Sequence, residues 1–117
     1  MKQNSRLVKN YEFSRVYQKG RRVSGKVLTV HYLKRPNRGL RTGVTVSRRL
    51  KGAVKRNRYK RLIRENLRLV RSDLKPGYDI IIMGKLYEQI PDYESVRQDM
   101  NSLFKRAGLW QDKCDGI

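Results

Sequence analysis

The 117-residue sequence holds a single cysteine, Cys114, and a single histidine, His31. No disulfide can close within the chain and no Cys- or His-rich zinc site can be assembled from it, a usage that fits the reducing cytoplasm. Acidic side chains are scarce, ten Asp and Glu against 29 Lys and Arg. Glu12 and Glu65 are isolated in basic surroundings, the other acids lie beyond Arg71, and none forms a paired motif. Asp79 alternates with Tyr78 in an apolar run, a position open to exposure. A protein-only metal nuclease needs clustered carboxylates to hold its cations, so the chain does not read as a catalyst by itself. No nucleophile with an evident base and no glycine-rich phosphate loop changes that reading. Lone His31 is a poor metal ligand or general base. No apolar stretch reaches the roughly 20 residues that span a bilayer, and the opening MKQNSRLVKNYEF lacks the apolar core of a secretory signal.

What the chain has in excess is positive charge. The formal net charge is +19 and the sequence pI about 10.7. Such a surplus repels itself in the folded state, so a neutralising partner is expected, nucleic acid before an anionic membrane. The charge is concentrated between Arg48 and Arg71, where eleven of 24 residues are Lys or Arg and only Glu65 is acidic. Turned at about 100° per residue from Ala53, Tyr59, Leu62, Ile63, Asn66, Leu67 and Val70 share one side of a helix. Asn57, Lys60, Arg61, Arg64, Arg68 and Arg71 share the other, with Arg56 at the border. A face that only keeps a protein soluble alternates its signs in i,i+4 pairs; this one does not. Guanidinium forks grip phosphates bidentately, where an ammonium offers a point charge. Arg56, Arg61, Arg64 and Arg68 are the leading RNA contacts, with Lys60 beside them. Asn57 either reads an RNA edge or holds the helix start.

Length implies one domain, residues 1–117, with a small but sufficient core. Residues 1–9 read as a loose basic arm and 110–117 as a tail. A helix is expected over Tyr11–Lys19, capped by Asn10 and closed by Gly20. Strands are expected at Lys26–Lys34 and Leu40–Ser47, the basic helix next, then a buried strand at Tyr78–Met83. A last helix runs Tyr93–Ala107 between Asp92 and Gly108. The fold class is α+β, a small mixed sheet packed with helices in the order α-β-β-α-β-α. Its strand–basic helix–strand segment forms a βαβ crossover, right-handed by the general rule. Phe13 and Tyr17, four apart on the first helix, are either core residues or rings on which single-stranded RNA stacks. On the first of those strands Leu28, Val30 and Tyr32 share one face, and Val27, Thr29 and His31 the other.

With the preceding VSRRLKGAV, the KRNRYKRLIR at Lys55–Arg64 closely resembles the Arg-Asn-Arg signature of the bacterial ribonuclease P protein subunit. RLVKNYEFSRVYQKG, TGVTVSRRL, GYDIIIM and VRQDMNSLFKRAGL resemble further segments of that family, in its order. The resemblance implies a subunit of a ribonucleoprotein that removes the 5′ leader of precursor tRNA. It implies that a catalytic RNA subunit holds the Mg²⁺ ions and does the chemistry, and that the crossover is left-handed. Arg48, Arg49, Lys55, Arg56, Asn57, Arg58, Lys60, Arg61, Arg64 and Arg68 are then expected to bind the RNA subunit. Phe13, Tyr17 and His31 are expected to hold the leader in a cleft between the first helix and the sheet. The family pattern commonly has Phe where Tyr17 stands, Tyr where His31 stands, and Gly-Asn where Lys51-Gly52 precedes the helix, which leaves that helix cap open. No catalytic or metal-binding side chain, no membrane partner and no protein oligomer is implied. A ribosomal or general structured-RNA-binding protein is the main alternative, and a DNA-compacting protein a further one.

Overall fold

A computed structural model describes residues 4–6, 10–36, 39–47, 49–85 and 91–111. Its strands are β1 (Asn4–Arg6), β2 (Arg21–Ser24), β3 (Leu28–Lys34), β4 (Leu40–Val46) and β5 (Tyr78–Gly84). Its helices are α1 (Asn10–Lys19), α2 (Ala53–Val70) and α3 (Tyr93–Ala107), with a 3-10 turn at Arg71–Asp73. The sheet order is β1-β4-β5-β3-β2. β1 runs parallel to β4 and β4 to β5, while β3 is antiparallel to both β5 and β2. β4, α2 and β5 therefore form the expected βαβ unit, and the α+β class holds.

Two strands go beyond the expected order. Asn4–Arg6, assigned to a loose arm from its polar composition, pairs with Leu40–Thr42. Three polar residues carry no alternation to read, and the partner strand supplies the order. Arg21–Ser24 pairs with Thr29–Tyr32 as the opposite edge of the sheet. Its charged Arg21-Arg22 suits an edge, where it discourages pairing with other chains, but hides the strand from a hydrophobicity pattern. β3 begins at Leu28 rather than Lys26 because the Asp99 carboxylate accepts the N–H groups of Lys26, Val27 and Leu28 at 3.0, 2.9 and 2.8 Å.

The period of two along β3 and β5 divides the core between the sheet faces. Leu28, Val30, Ile80 and Ile82 pack against Tyr59, Ile63 and Leu67 of α2 and Val96, Met100, Leu103 and Phe104 of α3. Ile81, on the opposite face, packs against Val16 of α1, with Phe13 and Leu33 alongside. Asp92 caps α3 by accepting the Ser95 N–H at 2.8 Å, and Gly108 ends it in the left-handed conformation. Trp110, which the sequence leaves as either a packing or a tail residue, packs edge-on against Phe104 at 5.5 Å and bridges to Leu74. Cys114 lies outside the described residues.

Candidate nucleic-acid interface

The helical phase read from sequence is the phase observed. Tyr59, Ile63, Asn66 and Leu67 are buried on α2, and Leu62 and Val70 half-buried. Lys55, Asn57, Arg58, Arg61, Arg64 and Arg68 are exposed. Among the described residues no ion pair involves any of these cations, although Glu65 lies within one turn of Arg61 and Arg68. The outer face of α2 is thus an array of uncompensated charge. Lys60 is half-buried and Arg49 exposed. Arg56 is half-buried and donates from Nη1 to the Leu50 carbonyl at 2.8 Å, so part of its hydrogen-bonding capacity holds the turn before the helix. Arg71 is half-buried in the 3-10 turn. Arg48 lies outside the described residues. Gly52 occupies the open helix cap at φ +96, a backbone state that L side chains rarely adopt. No side chain caps this end and no acid sits in the first turn.

A groove lies on the opposite side of the sheet. α1 packs chiefly over β3 and β5. Thr45 and Met83, paired across β4 and β5, share that face with Ile81. Phe13, Ser14 and Tyr17 of α1 rise beside them, and Val44, Val46, Ser47 and Arg49 complete a trough of about 620 Å³. Phe13 is half-buried and Tyr17 is 42 % exposed. Burial pushes the Tyr17 phenol above the usual tyrosine range, so it remains a neutral hydrogen-bond donor. His31 stands on the α1 face of β3, edge-on to Tyr17 with ring centroids 4.7 Å apart. It supports Tyr17 from behind and does not line the trough. Burial, then the Arg22 charge, lower its pKa below the usual histidine value. At its C-terminal end α1 meets β3 at Gly20, where a Cβ would come within 2.5 Å of the Tyr32 carbonyl oxygen.

The two surfaces touch. Phe13 and Val44 also border a second hollow of about 250 Å³, whose other walls include Arg64, Arg68 and Arg71. Arg49, grouped with the basic helix by sequence, sits on the trough itself. Beneath α1 lies an ion network that sequence reading missed. Asp79 is 1 % exposed, not solvent-facing. It accepts from Arg41 Nε and Nη2 at 2.9 and 2.8 Å and from Arg35 Nη1 at 3.3 Å. Arg41 Nη1 reaches Glu12 of α1 at 2.6 Å. The Asp79 hydrogen bond is the main cause of a guanidinium pKa raised above its usual value. The available signal was one acid inside the apolar run YDIIIM, since a buried charge demands a partner.

The family profile for Ribonuclease P matches residues 1–108. The chain belongs to the ribonuclease P protein family. It is 40% identical over 111 residues to the ribonuclease P protein component of Exiguobacterium sp., covering 95% of this chain and 96% of that protein. It is 37% identical over 112 residues to that of Clostridium novyi, covering 94% and 99%. The solved RNase P protein from Staphylococcus aureus superposes with a TM-score of 0.82 at 28% identity, covering 97% of each chain. The one from Thermotoga maritima gives 0.74 at 25%, covering 86% of this chain and 96% of that one. Ribonuclease P membership makes the chain a component of a tRNA-processing nuclease that works as a ribonucleoprotein with an RNA partner. Among the described residues, no helix of this family member is long and apolar enough to cross a membrane.

Proposed function

We propose that the exposed face of α2 binds the catalytic RNA of ribonuclease P, and that the trough beside α1 holds the 5′ leader of precursor tRNA. The observation that carries this reading is the meeting of the two surfaces at Phe13, which borders both the aromatic trough and the hollow walled by Arg64 and Arg68. A single strand leaving a structured RNA on α2 passes directly onto stacking rings. Guanidinium and ammonium groups neutralise phosphates and release counterions. Phe13 and Tyr17 offer faces for bases without selecting sequence, and Ser14, Thr45 and Ser47 offer hydroxyls to the backbone.

In this reading, endonucleolytic removal of the leader belongs to the RNA subunit. Among the described residues no three His, Cys, Asp or Glu side chains converge as a metal group would need. In this reading the Mg²⁺ ions, like the chemistry, belong to the RNA subunit. The protein's share is to bind, orient and screen charge, in the cytoplasm. The test is reconstitution of precursor-tRNA cleavage with the cognate RNA. Adding the protein is expected to raise affinity for leader-bearing tRNA over mature tRNA. Equal gains for both substrates, or co-purification with ribosomal RNA alone, would overturn the reading.

A further inference from the structure

α1 carries the aromatic wall of the trough, yet its apolar attachment to the sheet is thin. Among its described residues only Val16 is fully buried against Ile81, with Phe13 and Leu33 at the margin. The remaining hold is polar. Arg41 on β4 turns Nε and Nη2 to Asp79 on β5 and Nη1 to Glu12 on α1. A guanidinium is planar, so engaging all three nitrogens fixes where Glu12 sits relative to the two strands that form the trough floor. Glu12 immediately precedes Phe13, and Tyr17 lies five residues further along the same helix. A recognition wall needs its supporting groups held to within about 0.5 Å. Here one ion-pair anchor of the wall spans the helix and both floor strands.

We infer that Glu12, Arg41 and Asp79 are positioning residues for leader recognition. They set the trough's width by fixing α1 against β4 and β5, so that Phe13 and Tyr17 face Thr45 and Met83 at a single spacing. The inference rests on the leader reading above. It also separates Arg41 from the RNA-gripping cations: its three engaged nitrogens serve the protein's own carboxylates.

The test uses full-length protein assembled with its cognate RNA. The quantity read is the leader gain, the ratio of affinities for precursor and mature tRNA. Glu12→Lys sets a second cation against Arg41 and is expected to lower the leader gain about tenfold, comparable to removing a stacking ring. KM for precursor tRNA should rise by the same factor while kcat at saturation and affinity for the RNA subunit hold. Glu12→Gln keeps an acceptor for Arg41 and should stay within about twofold of the parent. A merely structural role does not predict that split or that rescue. Arg41→Lys keeps the charge but loses the fork; it is expected to lower the leader gain too, and replaces Glu12→Lys in the assay if that variant does not fold. Phe13→Ala is measured in parallel. If Phe13→Ala lowers the leader gain while the Glu12 or Arg41 variant leaves it intact, the positioning role is wrong and the leader reading stands. If Phe13→Ala and Tyr17→Ala leave the gain intact, the leader reading falls, and this inference with it.

Discussion

On the outer face of α2, Arg61, Arg64 and Arg68 stand exposed with no described ion-pair partner. Beneath α1, Arg35 and Arg41 are half-buried and meet Asp79 and Glu12. The same side chain has opposite physics in the two places. Outside, high dielectric makes each charge cheap to keep and available to a partner's phosphates. Inside, a charge left alone is costly, and the pair is held because each member compensates the other. A residue count cannot distinguish an interface cation from a structural one; placement against the sheet does.

The largest effect is expected where the buried pairing is broken. Asp79→Ala removes the carboxylate that Arg35 and Arg41 share and leaves Arg41 with Glu12 alone. It should cost about 3–5 kcal/mol of stability, a fall in thermal midpoint of more than ~10 °C. Calorimetry showing a change of only a degree or two would mean the carboxylate is solvated, and the contrast between the two regions would vanish.

Removing exposed charge should do the reverse. Arg61→Ala or Arg64→Ala should leave stability within about 0.5 kcal/mol. Each should cost about 1.5–3 kcal/mol of affinity for the RNA subunit, the scale of a hydrogen bond to a charged group. The salt dependence should flatten by roughly 0.7–0.9 per lost phosphate contact in a plot of log K against log salt. A full-strength salt slope in both variants would place the RNA elsewhere.

Tyr17→Ala probes the trough between these extremes. The ring is exposed enough to be lost without opening a large core cavity, so the fold should survive. Leader-bearing tRNA should bind more weakly by about 1–3 kcal/mol, the worth of one stacked base, with mature tRNA unaffected. Equal weakening of both would merge the trough with the α2 surface and end their distinction.

How much of this could be read in advance follows the same division. The α2 face was legible because a local period of 3.6 sorted Tyr59, Ile63 and Leu67 from Arg61, Arg64 and Arg68 within one element. Phe13 and Tyr17 were legible for the same reason, as neighbours one turn apart. Arg41, Asp79 and Glu12 were not, because they come from three elements and meet only through the order β4-β5-β3 and the seating of α1. Asn4–Arg6 and Arg21–Ser24 were missed as strands because edge pairing depends on a partner's free backbone groups, not on apolar residues of their own. Asp99 trimmed the start of β3 from about 70 residues away in sequence, a contact no local pattern carries.

His31 falls between the two regions and gives the smallest expected effect. It is neither freely exposed nor ion-paired: its ring lies against Tyr17, and Arg22 stands across from it on β2. Burial and then the Arg22 charge hold its folded pKa below the usual value of 6.5. Between that lowered value and 6.5 the unfolded chain binds more protons than the folded one, so stability rises with pH through this window. The contribution is complete above the unfolded pKa and is lost as pH falls through the folded one. Carboxylates titrate lower and add their own slope, so the informative quantity is the difference between parent and His31→Gln. The parent's thermal midpoint should fall more steeply than the variant's between pH 7 and about pH 5, by a modest margin because solvent screens a half-exposed ring. Parallel curves would mean His31 titrates as it does in the unfolded chain. Contact with Tyr17 and the nearby Arg22 would then impose no cost on the protonated ring, and His31 would belong with the exposed groups.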